Sequence, residues 1–279
     1  MGRLVPVRTL FRDAAFVPDK AGMKLLTRPH AVWLAMLSGA AIGAGVGMLA
    51  GPAWAVVGVV CVPVVVLVSA SVLHASTTPD PANLVHAGQH REALSEISKT
   101  LPHWRGLARV WPGQFQDALA DVLMTRSMAL LAAHRQDEAL AAAQEGVAIY
   151  RALSQARPGK QTAGLAAALN NLTYPLMAAG RRDEAVQAAE EAVQLYRALT
   201  ASSSRKYRYR LANSLGTKAE ALQHARRSAE ALAATGESVG MYDGARLSGH
   251  DAHHAASIRS LHARLSATDP ATKSVPQEP

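Results

Sequence analysis

The chain has 279 residues, a formal net charge of +8 and a single cysteine, Cys61. One cysteine excludes an intrachain disulfide, so the cysteine content says nothing about the cellular compartment. Lysine and arginine outnumber the acidic residues by 29 to 21, but half of that excess lies in the first 30 residues. The remainder is close to balanced, which argues against the broad basic surface of a nucleic-acid-binding protein.

Residues 1–30 form a basic segment with six Lys or Arg and two acids, and the run from Ala31 to Leu73 contains no charge. Such a run is long enough for two membrane crossings of about 20 residues each. We therefore expect a transmembrane hairpin over residues 31–74, with helices at about 31–50 and 53–73. A buried hairpin of a soluble protein is the alternative.

The flanking charges predict the topology of this hairpin. Basic residues favour the cytoplasmic side of a membrane, and the turn at Gly51-Pro52 is uncharged. The N-terminus is therefore expected in the cytoplasm, and two crossings return the rest of the chain to the same side. We expect a multi-pass protein of the cell membrane.

One face of the first expected membrane helix consists of glycines spaced four residues apart. They are Gly39, Gly43, Gly47 and Gly51. Small residues at this spacing let helices approach closely inside lipid. This face is expected to pack against the second helix of the hairpin; assembly between subunits, including homo-oligomers, is the alternative.

Beyond the hairpin the sequence repeats with a period of 46 residues. Each copy has a Glu-Ala-apolar triplet, with the alanines at Ala93, Ala139, Ala185 and Ala231. An aromatic residue follows each alanine eleven positions later, at Trp104, Tyr150, Tyr196 and Tyr242. Constant spacing indicates one supersecondary unit stacked on itself, and such stacks commonly bind other proteins.

Each copy predicts two helices. Leu169, Thr173 and Leu176 are spaced by four and three and share a helical face, with equivalents in the other copies. A breaker then separates the helices; it is Gly88 or Gly180 in two copies and His134 or Arg226 in the others. Pro175 is expected to kink the first helix of its copy.

With Leu169, Thr173, Leu176, Gly180 and Ala185 at these positions, residues 82–266 resemble tetratricopeptide repeats. The commonest form has a period of 34 residues, so the closer resemblance is to the extended variety of kinesin light chains and bacterial regulatory proteins. The fold class expected is all-α, with the hairpin followed by an α-solenoid of antiparallel helix pairs. A helix near 251–266 would cap the array, and residues 267–279 would form a disordered tail.

The resemblance implies a partner site on the first helix of each repeat, which lines the groove in that family. The candidate residues carried over are Met124, Met128, Asn170, Tyr174, Met177 and Glu220. The corresponding positions contain no Lys or Arg, which favours an apolar helix or an extended segment as the partner. The alternative is that the methionines pack beneath neighbouring helices and the partner binds elsewhere.

Two further motifs could bind a ligand, but for each a structural role is the simpler interpretation. His250, His253 and His254 form the only metal-like cluster, but a solvated helix start is favoured over a metal site. The segment Arg205–Arg210 interleaves basic and aromatic residues, and we expect packing with solvated charge rather than nucleic-acid binding.

The sequence therefore predicts a membrane-anchored interaction scaffold that binds a protein or peptide partner. It predicts no enzymatic activity, no cofactor, no metal and no nucleic-acid partner. A regulatory or sensory subunit of a larger membrane complex, and an enzyme whose site escapes motif analysis, are the alternatives.

Overall fold

The computed structural model describes residues 80–157, 161–243 and 249–268. These residues form helices, and none of them is in a strand. Of the described residues, those from Val85 onward belong to one compact unit, whereas 80–84 belong to another. The basic segment, the expected hairpin with its glycine face, and residues 269–279 lie outside the described residues. No helix in the described ranges is long and apolar enough to cross a membrane.

The described helices follow one another with short connections. In chain order they are α1 Pro81–His86, α2 His90–Val110, α3 Pro112–Ala132, α4 Gln136–Ala156, α5 Thr162–Ala178, α6 Arg182–Ser202, α7 Ser204–His224, α8 Ser228–Tyr242 and α9 Gly249–Thr268. From α2 onward, each helix packs against the next one in the chain.

The helices form successive pairs at the predicted period. The first helices of the pairs are α3, α5 and α7, and the second helices are α4, α6 and α8. Each first helix also contacts the first helix of the following pair, and α7 contacts α9 in the same way. The prediction of an all-α array of stacked helix pairs is therefore confirmed for this part of the chain.

Every predicted breaker position adopts a left-handed backbone. The φ angles are +78° at Gly88, +60° at His134, +72° at Gly180 and +62° at Arg226. After α3, the His134 N–H donates to the Leu131 carbonyl at 3.0 Å and the Arg135 N–H donates to Leu130 at 2.9 Å. This paired closure ends the helix and satisfies two of its last carbonyls. His134 and Arg226 adopt the conformation despite a steric cost of about 1 kcal/mol each.

The residue just before each second helix is an arginine that pairs with a glutamate three residues later. Arg135 Nε donates to Glu138 Oε1 at 2.7 Å, and its second nitrogen binds the other carboxylate oxygen. The same forked pair recurs at Arg181–Glu184 and Arg227–Glu230. These groups are about half exposed, so each pair contributes little to stability.

The repeated alanines lie at the interface between the two helices of a pair. Ala139, Ala185 and Ala231 are completely buried. Where α3 meets α4, the Ser127 hydroxyl donates to the Ala139 carbonyl at 2.7 Å. Such a short distance requires small residues on both helices, which explains why the sequence keeps them small.

Two local expectations concern Pro175 and the last helix. Pro175 lies inside α5, which continues to Ala178, and the expected kink stays a prediction. The last helix, α9, extends to Thr268 and therefore includes two residues that were assigned to a disordered tail.

Candidate functional site

The positions carried over as groove-lining residues are mostly buried. Four of the six candidate side chains, Met124, Met128, Tyr174 and Met177, are at most 5% exposed. Only Asn170 and Glu220 are half-buried. The four buried residues belong to the hydrophobic core, so they support the packing of the helices and offer no surface to a partner in this arrangement.

Close helix approach explains this burial. A Cβ added to Gly146 of α4 would lie 2.7 Å from the sulfur of Met124, so Met124 fills the space that this glycine leaves. The hydroxyl of Tyr174 lies 3.2 Å from the hydroxyl of Thr217 on the next first helix. These contacts involve residues distant in sequence, and a single helix pattern does not reveal them.

What remains accessible on the first helices is a discontinuous set of polar groups. Asp121, Asn170 and Glu220 are half-buried, and Gln223 at the end of α7 is exposed. The side-chain oxygen of Asn170 accepts a hydrogen bond from the Ser214 hydroxyl at 3.2 Å. Its amide group can still donate to a main-chain carbonyl of a bound segment.

Asp121 is the most perturbed group on these helices. Burial raises its pKa to about 7, the hydrogen bond from the Tyr150 hydroxyl acts in the opposite direction, and nearby Asp117 adds to the rise. Burial and the Asp121 charge raise the pKa of Tyr150 far above its ordinary value. Asp121 thus changes charge near neutral pH inside the α3–α4 contact.

In the other repeats, the hydroxyl of the equivalent tyrosine has a different polar partner. In the α7–α8 pair, Tyr242 donates to the side-chain oxygen of Asn213, which occupies the position of Asp121. In the α5–α6 pair that position is Ala167, and Tyr196 instead interacts with Arg210. The repeated aromatic residue is therefore a core anchor whose polar partner varies from repeat to repeat.

A ladder of ion pairs that has no counterpart in the sequence predictions joins α2 to the second helices α4, α6 and α8 in turn. Arg105 binds Glu145 at 2.7 Å, Arg151 binds Glu191 at 2.5 Å, and Arg197 binds Glu237 at 2.7 Å. Each arginine reaches a glutamate 40 residues later, on the second helix of the next pair. The signal was available, because both the arginines and the glutamates recur at the 46-residue period.

A cleft with basic walls lies between α2 and α3. Its volume is about 470 Å³, and it is lined by Ser98, Leu101, Pro102, Arg105, Gly106, Arg109 and Arg126. An adjoining depression of about 320 Å³ shares Arg105 and Arg109. Among the described residues, neither Arg109 nor Arg126 has an acidic partner within ion-pair distance.

The corner beside this cleft is apolar and exposed. Val110 and Trp111 are 63% and 40% exposed, and no other large hydrophobic side chain in the described ranges is exposed. The Trp111 ring packs against Phe115, with centroids 6.2 Å apart, and Trp104 packs against the same ring at 6.4 Å. This corner has no signal in the 46-residue repeat, because none of its residues matches a repeat position except Trp104.

The histidine cluster is not a solvated helix start at His254. This residue is 1% exposed, and its ring would lie 2.8 Å from a Cβ on Gly216. Because Gly216 has no side chain, α9 approaches α7 closely and encloses the ring. The His250 side chain is outside those described, and no group of three possible metal ligands occurs among the described residues.

The aromatic residues of the basic segment Arg205–Arg210 pack onto the protein. Tyr209 stacks on Tyr242 with centroids 6.0 Å apart, and Tyr207 packs against a cluster that contains Tyr196. Arg208 Nε donates to the Met241 carbonyl at 3.1 Å. The rings are thus used for helix packing. The side chains of Arg205 and Lys206 are outside those described.

Comparison with known proteins adds no identity: no protein-family model matches the chain, and no curated protein matches it significantly.

Proposed function

We propose that this chain is a membrane-anchored adaptor whose tetratricopeptide-like array binds a segment of a partner protein in the cytoplasm. The observation that carries the proposal is the stack of helix pairs repeating every 46 residues. Each pair contacts its neighbours, which builds an extended surface from local units. Stacks of this kind usually present surfaces for other proteins.

Local features support the tetratricopeptide assignment. The buried small residue on the first helix, the buried alanine on the second, and the left-handed turn between them all recur at the repeat period. His134 and Arg226 depart from the glycine of the family pattern, yet both adopt the glycine-like conformation.

An extended segment fits the accessible groups better than an apolar helix does. The methionines that would hold a helix are buried, so the first helices offer mainly polar contacts. Asn170 and Gln223 each provide a side-chain oxygen and an amide donor. These groups match the main-chain N–H and C=O groups of an extended peptide.

Photo-crosslinking tests this surface directly. A photoreactive amino acid placed at Gln223 should crosslink to a partner in intact cells. The matched control is the same amino acid at Gln187 or Gln144, which are exposed on second helices. Equal crosslinking from all three positions, or none from Gln223 while the controls react, would place the partner elsewhere.

The anchor is the uncharged run over residues 31–74, with both termini in the cytoplasm. The basic segment 1–30 and the uncharged turn support that topology. Reporter fusions at residue 75 and at the C-terminus should both give a cytoplasmic signal. A signal from the opposite side at either position contradicts the topology, and release of the protein by alkaline carbonate contradicts the anchor.

A regulatory role within a larger membrane complex is favoured by the position of Asp121. Its carboxyl lies at the contact between α3 and α4 and accepts a hydrogen bond from the Tyr150 hydroxyl. Burial raises the pKa of this carboxyl to about 7. A change in its charge near neutral pH would alter the packing of that pair. If Asp121→Asn abolishes a pH response of the complex but leaves crosslinking from Gln223 intact, the regulatory reading is supported over the adaptor alone.

A further inference from the structure

The corner formed by the end of α2 and the start of α3 combines exposed apolar groups with arginines that have no acidic partner among the described residues. Arg109, Val110 and Trp111 are consecutive and exposed, and α3 begins at Pro112. The cleft lined by Arg105, Arg109 and Arg126 adjoins them. We call these residues, with Val110 and Trp111, the α2–α3 corner.

We propose that the α2–α3 corner docks on the surface of an anionic phospholipid bilayer. In this arrangement Arg109 and Arg126 bind lipid phosphates, while Trp111 and Val110 enter the headgroup region. Tryptophan favours this region because its ring has an apolar body and a polar N–H. The inference rests on the proposed membrane anchor, because that anchor holds the array near a bilayer.

The charges around the corner favour an anionic partner. Among the described residues, Glu145 is the only acidic one that lines the cleft or its adjoining depression, and it is already bound to Arg105. Arg109 and Arg126 are therefore available to an anionic ligand. Arginine binds phosphate oxygens in a forked geometry, and basic residues near an anionic membrane strengthen binding to it.

The aromatic residues favour a lipid surface over a nucleic acid. Proteins that bind single strands stack successive bases on several exposed rings. In this cluster Trp104 and Phe115 are half-buried, so Trp111 alone is exposed. Val110 is the most exposed large hydrophobic residue among those described, and an aliphatic side chain gains nothing from a base. Both observations fit shallow insertion into a bilayer.

The test uses the full chain reconstituted into vesicles, with Cys61→Ser to remove the native thiol. An environment-sensitive fluorophore is attached at Gln114→Cys, which is exposed on the first turn of α3. The reference position is Gln187→Cys, which is exposed on α6. Vesicles contain phosphatidylcholine alone or an equal mixture with phosphatidylglycerol.

The expected result is a blue shift of the emission at Gln114 in the mixed vesicles, and none in phosphatidylcholine or at Gln187. Arg109→Gln/Arg126→Gln should lower the docking equilibrium constant about thirtyfold, which corresponds to about 2 kcal/mol. The control Arg91→Gln/Arg182→Gln removes two exposed arginines from other places and should leave the shift unchanged. Equal thermal midpoints for the two variants establish that both are folded.

Several outcomes would overturn the proposal. These are an equal emission in both vesicle types, an equal shift at Gln187, or a shift that survives the loss of Arg109 and Arg126. A response at Gln114 to a single-stranded oligonucleotide, but not to vesicles, would make nucleic acid the ligand instead.

Failure of the membrane anchor gives a different result. In that case alkaline carbonate strips the wild-type protein from the vesicles. Mixed vesicles added to the stripped protein then test the corner alone, and a shift at Gln114 supports it while no shift overturns it. An anchored protein without the shift leaves the proposed function intact and contradicts only the docking.

Discussion

In the central repeat, the first helix α5 and the second helix α6 differ in how their side chains are used. No residue of α5 is fully exposed, because the helix packs between neighbours on several sides. Helix α6 exposes Gln187, Gln194 and Arg197 and reaches the next repeat through a salt bridge. The first helices therefore determine the packing of the array, and the second helices provide most of its solvent-facing surface.

The largest expected effect comes from truncating a buried side chain of a first helix. Leu169 is completely buried, so Leu169→Ala should lower the free energy of unfolding by about 2–5 kcal/mol. Thermal melts of the full chain in detergent, followed by circular dichroism, measure the change. The control Leu172→Ala lies on the same helix but is half-buried, and an equal loss there would contradict the assigned faces.

The next prediction concerns the ionisable group within a first helix. The folded pKa of Asp121, about 7, lies above its ordinary value of 3.8. The protonated carboxyl thus favours the fold, and its contribution is complete below about pH 4 and is lost as the pH rises through 7. From pH 5 to 8, the wild type should lose roughly 2–3 kcal/mol relative to Asp121→Asn.

The α7–α8 pair shows the contact that Asp121→Asn should form, because Tyr242 donates there to an asparagine at the position equivalent to Asp121. Asp121→Asn should therefore keep the tyrosine hydrogen bond at all these pH values. Midpoints of chemical unfolding, measured at each pH, check the difference. A constant difference from pH 5 to 8 would show that Asp121 does not titrate in this range.

A smaller loss of stability is expected where a first helix meets its second helix. Ala185 is completely buried between α5 and α6, so Ala185→Trp should overpack the interface and cost about 1–3 kcal/mol. Gln187→Trp adds the same ring to an exposed position two residues away. Equal thermal midpoints for the two variants would mean that Ala185 is not at the helix contact.

The smallest expected effect belongs to the second-helix ladder. Arg151 and Glu191 remain 51% and 38% exposed, so Arg151→Gln should cost about 0.2–1 kcal/mol, and less at high salt. A double-mutant cycle with Glu191→Gln isolates the pair, and Arg182→Gln is a control without an ion-pair partner among the described residues. A coupling energy comparable with the stability lost in Leu169→Ala would contradict the view that the first helices, and not the second, determine the packing of the array.

Much of the array could be predicted from the sequence because its signals are local. The breaker at position 180, the start of α6 at Arg182 and the burial of Ala185 depend on residues a few positions apart. Each property follows from backbone sterics and helical periodicity, and the constant spacing repeats it along the chain.

The candidate site was less predictable because accessibility depends on distant neighbours. Met124 and Tyr174 have the register of groove residues, but both are buried by distant neighbours. Met124 fills the space beside Gly146, and the Tyr174 hydroxyl lies within hydrogen-bond distance of Thr217. The exposure of a side chain on a sandwiched helix is determined by the sizes of residues on the helices around it. Those sizes are visible in the sequence, but the contacts between them are not.

The sequence by itself determined the period, the helix pairs, the turn positions and the small residues that let the helices meet. These features depend on local sterics and on spacing, and both can be counted along the chain. Only the tertiary structure decided that His254 is buried and that arginines reach glutamates 40 residues away. It also decided that the methionines expected to line a groove are buried, so that polar groups are what the first helices leave accessible. Such contacts form between residues that become neighbours only when the helices stack. Whether they form depends on the distance between the helices, which is a property of the tertiary structure.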